Sequence, residues 1–351
     1  MAVLTYKCPN CGGPLNWDAE KKAWFCNYCN SRFTEADYAK MRPESAASGP
    51  ADLGEDGALQ TAVYSCPSCG ARIMADETTA ASFCYYCHNP VVLEDRLSGA
   101  LMPDLVLPFE IDEKKAREIF SGWVRRHRYI PKDFYSEKQV SYFSGVYFPY
   151  WIYSCRVQGE LSADGKKLRT WTSGGMQFTE TSVYDASQNG TMTVEHMTRI
   201  ALKKASRILC ESVMPFQMEK MKPYAPGYLQ GYSAEMRDIA REELSGEISA
   251  EVDAYAKERL QAAASEGYNS LQVRSIETRI EEEQWHYALL PVWTLTCQDV
   301  KRGKTYYFSI NGQSGKTCGE LPVDGRRLLW LFFMIFAPVF AVILCFLYFV
   351  L

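Results

Sequence analysis

Eight of the thirteen cysteines in this 351-residue chain form two copies of one pattern. Each copy reads Cys-x2-Cys, fourteen residues, Cys-x2-Cys, and the second copy follows the first by 58 residues. The first copy contains Cys8, Cys11, Cys26 and Cys29, and the second contains Cys66, Cys69, Cys84 and Cys87. Two such turns joined by a short hairpin aim four thiolates at one point. The spacing therefore predicts two structural Zn²⁺ sites, closed to water and without a catalytic role.

Other uses of these cysteines are less well matched to the pattern. A redox pair needs one Cys-x2-Cys, whereas four occur here at matched spacing. The run Cys84–His88 also spells a haem-attachment sequence, but the repeat already requires both of its cysteines. His88 is an alternative ligand to Cys87, but we interpret it as a neighbour of the site and Cys87 as the ligand. We favour zinc at both sites.

Each zinc site needs a small β-hairpin to carry it, and the composition between the copies indicates how the modules are joined. Residues 41–62 are rich in small, acidic and helix-breaking residues, which predicts a flexible linker. The predicted organisation has two zinc ribbons, a large α+β domain with an antiparallel sheet, and a terminal membrane helix. Its segments are ribbon 1 at 1–40, the linker at 41–62, ribbon 2 at 63–96, the α+β domain at 97–325 and the helix at 328–351.

The membrane prediction comes from an uncharged C-terminal stretch, Leu328–Leu351. As a helix it would be roughly 36 Å long, enough to cross a hydrocarbon core of about 30 Å. Arg326 and Arg327 precede it, which places the N-terminal 327 residues in the cytoplasm. We therefore expect a single-pass, tail-anchored protein of the cell membrane, with the lipid bilayer as one partner.

The large domain contains recognisable element signals. Asp112 is a predicted N-cap for a helix to about Tyr129, and Ser233 for a helical region to about Glu266, bent or divided at Gly246. Between them, strand-like residues are interrupted by Asp164-Gly165, Gly174-Gly175 and Asn189-Gly190, which predict hairpin turns. A further strand set has its turn at Asn311-Gly312. This order of helices and strands is typical of an α+β fold.

A second internal repeat lies inside this domain. The segment Phe148–Cys155 recurs 142 residues later as Leu290–Cys297, with proline, tryptophan and cysteine in matching positions. We expect two equivalent strand pairs whose tryptophans, Trp151 and Trp293, pack on one sheet face. A ligand groove lined by the two tryptophans is the alternative.

Composition and motifs argue against two classes of partner. A formal charge of −4 and a pI near 5.8 provide no whole-chain basic field for nucleic acid. The segment Asn311–Thr317 resembles a phosphate loop, but Gly312 and Gly315 have two intervening residues where a P-loop needs four. We therefore expect no bound nucleotide and no ATP-driven activity.

Several segments together resemble a group of bacterial proteins named for a TFIIB-type zinc ribbon, often labelled as replication-restart helicases. The resemblance rests on the paired ribbons and on the segments Tyr6–Gly12, Leu107–Phe109, Gly145–Trp151, Ala288–Trp293 and Asn311–Lys316, with the apolar C-terminus. It implies a membrane protein that recruits cytosolic scaffold proteins of the SPFH (flotillin-like) or phage-shock type. The missing phosphate loop argues against the helicase label.

These observations lead to two functional hypotheses. The first is a non-enzymatic, zinc-binding adaptor that recruits protein partners at the membrane through its ribbons. The second is nucleic-acid binding through the ribbons, for which ribbon 1 offers lysines and the aromatic pair Trp17 and Trp24, whereas ribbon 2 offers little beyond Arg72. An enzymatic or ligand site in the large domain has no catalytic constellation to support it.

Overall fold

The computed structural model describes most of the chain. The described residues are 2–5, 7–38, 40, 44–47, 62–65, 72–75, 78–83, 90–93, 101–127, 143–203, 207–299, 304–320 and 324–350. Within them the α-helices are α1 (Glu35–Tyr38), α2 (Glu113–Arg126), α3 (Arg207–Ser212), α4 (Arg241–Ser265) and α5 (Gly325–Val350). Single 3-10 turns cover Met218–Lys220 and Pro226–Leu229.

Strands dominate the described residues. The short strands are β1 (Ala2–Thr5), β2 (Leu15–Asp18), β3 (Ala23–Cys26), β4 (Arg32–Phe33), β5 (Glu44–Ala47), β6 (Ala62–Ser65), β7 (Arg72–Ala75), β8 (Thr79–Phe83), β9 (Pro90–Leu93) and β10 (Leu105–Val106). The later strands are β11 (Ser144–Ser173), β12 (Met176–Ile200), β13 (Lys222–Pro223), β14 (Ser233–Glu235), β15 (Ser270–Asp299), β16 (Lys304–Asn311) and β17 (Thr317–Gly319). Three of them, β11, β12 and β15, are 25 to 30 residues long.

One mixed sheet of twelve strands organises the molecule. Its main order is β13-β10-β15-β11-β14-β8-β9-β1-β5, with β12 added to β11, and β16 and β17 added beyond β15. The pairs β10–β15 and β11–β14 are parallel, and the other pairs in this sheet are antiparallel. The predicted α+β domain with an antiparallel sheet is therefore wrong, because the chain forms a large mixed β-sheet with few helices.

The strands are longer than predicted partly because two glycines that we interpreted as turn residues lie inside strands. Gly165 and Gly190 lie within long strands, opposite Tyr184 and Gly159 respectively. A Cβ at Gly165 would come within 2.5 Å of the Tyr268 ring, so glycine there admits an aromatic side chain from another element. Of the three predicted turns in this region, only Gly174-Gly175 joins two strands, with both residues at positive φ.

The helix predictions had mixed outcomes. The predicted N-cap of α2 is confirmed, because the Asp112 side chain accepts a hydrogen bond from the Lys115 amide. Ser233 instead begins strand β14, which pairs with β11 and β8. The helix starts at Arg241, and Gly246 does not divide it.

Helix α4 covers one face of the long strands. Its residues Ile248, Val252 and Ala256 are buried against Tyr153, Cys155 and Val157 of β11. Further along, Ala264 packs with Leu161 and Ala163. The beginning of β11 and the ends of β12 and β15 thereby join the core, while the opposite ends of these strands extend as a three-stranded ribbon.

The C-terminal helix α5 has exposed apolar side chains, including those of Trp330, Phe336 and Phe340. Among the described residues, no helix combines the length and apolar character needed to cross a bilayer. We therefore do not retain the predicted transmembrane helix over 328–351, the tail anchor or the single-pass cell-membrane localisation.

The predicted linker and ribbon 2 are described only in part. Strand β5, inside the predicted linker 41–62, pairs with β1. Strands β6 and β7 form a hairpin that flanks the first cysteine pair of ribbon 2. Cys66, Cys69, Cys84, Cys87 and His88 lie outside the described residues.

Candidate metal centre

The four cysteines of ribbon 1 converge at one point. Their Sγ atoms all lie within 4.8 Å of one another. The Sγ atoms of Cys8 and Cys29 are 3.5 Å apart, and those of Cys11 and Cys26 are 3.4 Å apart. Cys8 and Cys26 are buried, while Cys11 and Cys29 are exposed. This group could hold one metal ion.

Two turns of the same geometry position these thiols. In the first, the Cys8 amide donates to the Gly13 carbonyl and the Gly12 amide donates to the Cys8 carbonyl. In the second, the amides of Cys26 and Asn30 make the equivalent bonds to Ser31 and Cys26. Gly12 and Asn30, each four residues after the first cysteine of its turn, have φ of 73° and 58°. Glycine and asparagine are the residues that adopt this left-handed conformation most readily.

Strand pairing and side-chain contacts hold the two turns together. Leu15 of β2 lies opposite Cys26 of β3, so the hairpin places the second turn beside the first. The Asn10 side-chain amide donates to the Ser31 hydroxyl at 2.8 Å and joins the turns directly. The two turns are therefore joined by protein contacts that need no metal ion.

The thiols have different acidities. The hydrogen bond with the Ser31 hydroxyl lowers the pKa of Cys29 to about 6, which favours the thiolate. Burial raises the pKa of the Cys8 thiol. Because metals bind the thiolate, a cation among the four sulfurs would have to displace protons.

The spacing fits a tetrahedral metal ion. With metal–sulfur bonds of about 2.3 Å, tetrahedral sulfurs are separated by about 3.8 Å. The Sγ–Sγ separations of 3.4 and 3.5 Å lie below that value, and the 4.8 Å limit for the set lies above it. A full set of four thiolates would leave no coordination position for a substrate or water.

The opposite side of ribbon 1 packs against the large sheet. The indole of Trp17 donates to the Phe109 carbonyl at 3.2 Å, and that of Trp24 donates to the Gly227 carbonyl at 3.1 Å. Tyr38 stacks on Trp24 with ring centroids 3.9 Å apart. Both tryptophans are buried, at 5% and 1% exposure. They are therefore not accessible for stacking on nucleic-acid bases, as the second hypothesis required.

Sequence reasoning missed this docking surface. Trp17 and Trp24 are register partners on adjacent strands, and each alternates with less buried neighbours. That alternation is the signal that could have identified a packed face. At its edge, Lys22 contacts Glu110 at 3.0 Å, and Lys220 contacts the same carboxylate.

The two motifs considered in the large domain have structural roles. Asn311 begins a turn in which its side-chain oxygen accepts from the amides of Gln313 and Ser314, while its nitrogen donates to Val213 and Pro215 carbonyls. Trp151 and Trp293 belong to one buried cluster, at 8% and 4% exposure. The Trp151 ring packs against Tyr287 and the Trp293 ring packs against Phe143.

Comparison with known proteins supplies a relative but no assigned activity. No family model matches the chain. No solved structure matches it either. The chain is 28% identical over 329 residues to a protein of Bacillus subtilis (strain 168) described as uncharacterized protein YdjG, and the alignment covers 93% of each. The two proteins are thus similar along nearly their whole length.

Proposed function

We propose that this chain is a zinc-stabilised adaptor that binds protein partners and performs no catalysis itself. One observation carries the proposal: four cysteine sulfurs converge within 4.8 Å on a ribbon whose opposite side is anchored to the sheet. Four thiolates in this tetrahedral spacing are typical of structural zinc sites. Such a site stabilises the fold of the ribbon. The outer side of the ribbon then remains available to contact a partner protein.

In this proposal zinc holds the two cysteine turns in a fixed relation. The four thiolates of Cys8, Cys11, Cys26 and Cys29 would be its ligands, and Cys66, Cys69, Cys84 and Cys87 would hold a second ion by the same spacing. The buried side of ribbon 1 fixes the ribbon to the large domain through the indole hydrogen bonds of Trp17 and Trp24. The outer side, with exposed Tyr28 and the exposed thiol pair, is the surface a partner would meet.

Zinc content tests the metal part of the proposal. Native mass spectrometry of the full chain should find two zinc ions, and the double variant Cys11→Ser/Cys29→Ser should lose one. Cys318→Ser is the matched control, since Cys318 lies on β17 outside both ribbons and should leave the count unchanged. A folded wild-type chain that contains no metal would refute the assignment.

Partner recovery tests the adaptor part. Crosslinking and affinity purification should recover proteins with the wild type that are lost with Cys11→Ser/Cys29→Ser and retained with Cys318→Ser. The resemblance implies SPFH-domain or phage-shock-type scaffolds as the partner class. Equal partner recovery with the wild type and both variants would show that ribbon 1 does not recruit these partners.

No observation favours the nucleic-acid alternative. The aromatic pair is buried, and Lys21 and Lys22 contact Asp18 and Glu110. Binding of an oligonucleotide whose affinity falls steeply with salt would reverse this conclusion, because phosphate contacts release counterions.

A further inference from the structure

The far end of the β11–β12 hairpin exposes a patch of aromatic and cationic side chains. Trp171 and Phe178 are register partners whose rings stack at 5.8 Å, and they are 44% and 41% exposed. Met176, at the start of β12, is 64% exposed. We call Lys167, Arg169, Trp171, Met176 and Phe178 the tip patch. Contiguous clusters of large apolar side chains on a protein surface often mark an interaction site.

The tip patch continues the sheet face that helix α4 covers. Side chains alternate along a strand, so Trp171 points to the same face as Leu161 and Ala163, which pack on α4. Helix α4 ends at Ser265, and Tyr268 then covers Gly165. Beyond that point, no other described element covers the face. The face on which α4 packs therefore continues along the hairpin beyond the end of α4.

The charges of the patch define what would bind it. The Lys167 ammonium lies 5.4 Å from the Tyr184 ring and 5.2 Å from the Tyr268 ring, and the Arg169 guanidinium lies 5.9 Å from the Trp171 ring. Neither cation has a carboxylate within 4 Å among the described residues. Glu180 is the register partner of Arg169, yet the guanidinium is turned toward the indole.

Three other cations on the same strands are paired with carboxylates. Arg156 contacts Glu282, Arg199 contacts Glu251, and Arg274 contacts Asp164 and Asp185. The two tip cations are thus held over aromatic rings with their charge still available to an incoming carboxylate.

We propose that the tip patch binds an acidic amphipathic helix of a partner protein, seated in line with α4. The apolar stripe of that helix would cover Trp171, Met176 and Phe178, and its flanking carboxylates would meet Lys167 and Arg169. This proposal goes beyond the partner surface proposed for ribbon 1 by adding a second contact and naming the partner class that it would bind. It places the contact on the hairpin tip, away from the zinc ligands.

Binding of synthetic helical peptides to the full chain provides the test. One fluorescein-labelled peptide of about 18 residues carries leucines at helical spacing flanked by glutamates, and a matched peptide carries lysines in place of the glutamates. Fluorescence anisotropy should show at least about tenfold tighter binding of the acidic peptide. The variant Trp171→Ala/Phe178→Ala should weaken it by about tenfold or more. Lys167→Glu/Arg169→Glu should reverse the preference between the two peptides.

Control variants separate this proposal from general effects. Leu168→Ala/Val183→Ala removes exposed apolar side chains from the opposite face of the hairpin and should leave acidic-peptide binding unchanged. An oligothymidylate that binds with the same dependence on Trp171 would overturn the helix proposal in favour of nucleic acid. Equal affinity for both peptides would also overturn it.

The zinc-site variant distinguishes failure of this proposal from failure of the adaptor function. Cys11→Ser/Cys29→Ser leaves the tip patch intact and should bind the acidic peptide like the wild type. If that binding is retained while cellular partner recovery is unaffected by the zinc variant, the ribbon role is rejected and the tip proposal stands. If neither peptide binds while zinc-dependent recovery persists, the tip proposal alone fails.

Discussion

Phe148 and Leu290 lie directly opposite each other in the β11–β15 pair, and they occupy equivalent positions of the 142-residue sequence repeat. Antiparallel pairing of equivalent residues creates a local pseudo-two-fold relation between the two copies. Trp151 therefore faces Tyr287, while Trp293 faces Gly145, and positions 145 and 287 are themselves equivalent. The repeat copies pair with each other, and each also pairs with the strand that follows it, β11 with β12 and β15 with β16.

Each repeat tryptophan should contribute comparably to stability. Their indoles donate to the carbonyls of Ile239 and Ile111, both at 3.0 Å. Trp151→Phe and Trp293→Phe remove these donors, and each should cost about 1–3 kcal/mol of unfolding free energy. Denaturant titration provides the measurement, with the exposed Trp171→Phe as a control expected to change little. A loss confined to one of the two variants would contradict the equivalence.

The contact of ribbon 1 with the sheet should be sensitive to one methyl group. A Cβ at Gly227 would lie 1.8 Å from the Tyr38 hydroxyl, so Gly227→Ala should destabilise the protein by about 1–3 kcal/mol. Gly246→Ala is the matched control, because its Cβ meets nothing within 4 Å and alanine favours the helix by about 0.5–1 kcal/mol. Thermal unfolding should therefore shift in opposite directions. A neutral Gly227→Ala would show that Tyr38 moves freely.

Acid should weaken the contact between Glu110 and the two lysines. Partial burial alone would raise the pKa of Glu110, but hydrogen bonds from Lys22 and Lys220 outweigh it and lower that pKa. A lowered folded-state pKa means that the stabilisation is present above the unfolded pKa, about 4.3, and is lost as the pH falls through the folded value.

The Glu110→Gln variant isolates this effect from other titrating groups. Its free energy of unfolding should fall less than that of the wild type between pH 6 and pH 3, with a difference below about 1 kcal/mol because both lysines are exposed. Chemical denaturation at matched zinc concentration measures it. Identical pH profiles of the unfolding free energy for the two proteins would show that Glu110 does not contribute to acid destabilisation.

The N-cap of α2 should contribute a measurable amount. Asp112→Ala removes the acceptor of the 2.7 Å bond from the Lys115 amide and should cost about 1 kcal/mol, whereas Asp112→Asn should retain most of it. Glu118→Ala, on the exposed face of the same helix, controls for general helix effects. Urea unfolding curves compare the three, and equal midpoints would exclude a capping role.

Local chemistry was predictable where the interacting residues are near in sequence. The first cysteine set converges as its spacing predicted, since turn and hairpin geometry act over about twenty residues. The Asp112 cap and the turn after Asn311 are local in the same sense. The predicted metal ligands of the second ribbon lie outside the described residues and stay a prediction.

Long-range packing was not predictable from local signals. Gly165 sits in a strand because Tyr268, about a hundred residues later, occupies the space above it. The sequence indicated Trp17 and Trp24 as candidate binding residues. In the structure their indoles donate hydrogen bonds to the Phe109 and Gly227 carbonyls. The apolar stretch after Arg327 forms helix α5, but the described helices include no membrane span.

By itself, the sequence determined one candidate metal site and the existence of two internal repeats, because ligand spacing and turn geometry depend on neighbouring residues. Only the tertiary structure decided that the 142-residue repeat pairs with itself, that the ribbon tryptophans are buried, and that the hairpin tip is exposed. Those outcomes depend on which distant surfaces cover each face of the sheet, and burial is a property of the assembled chain.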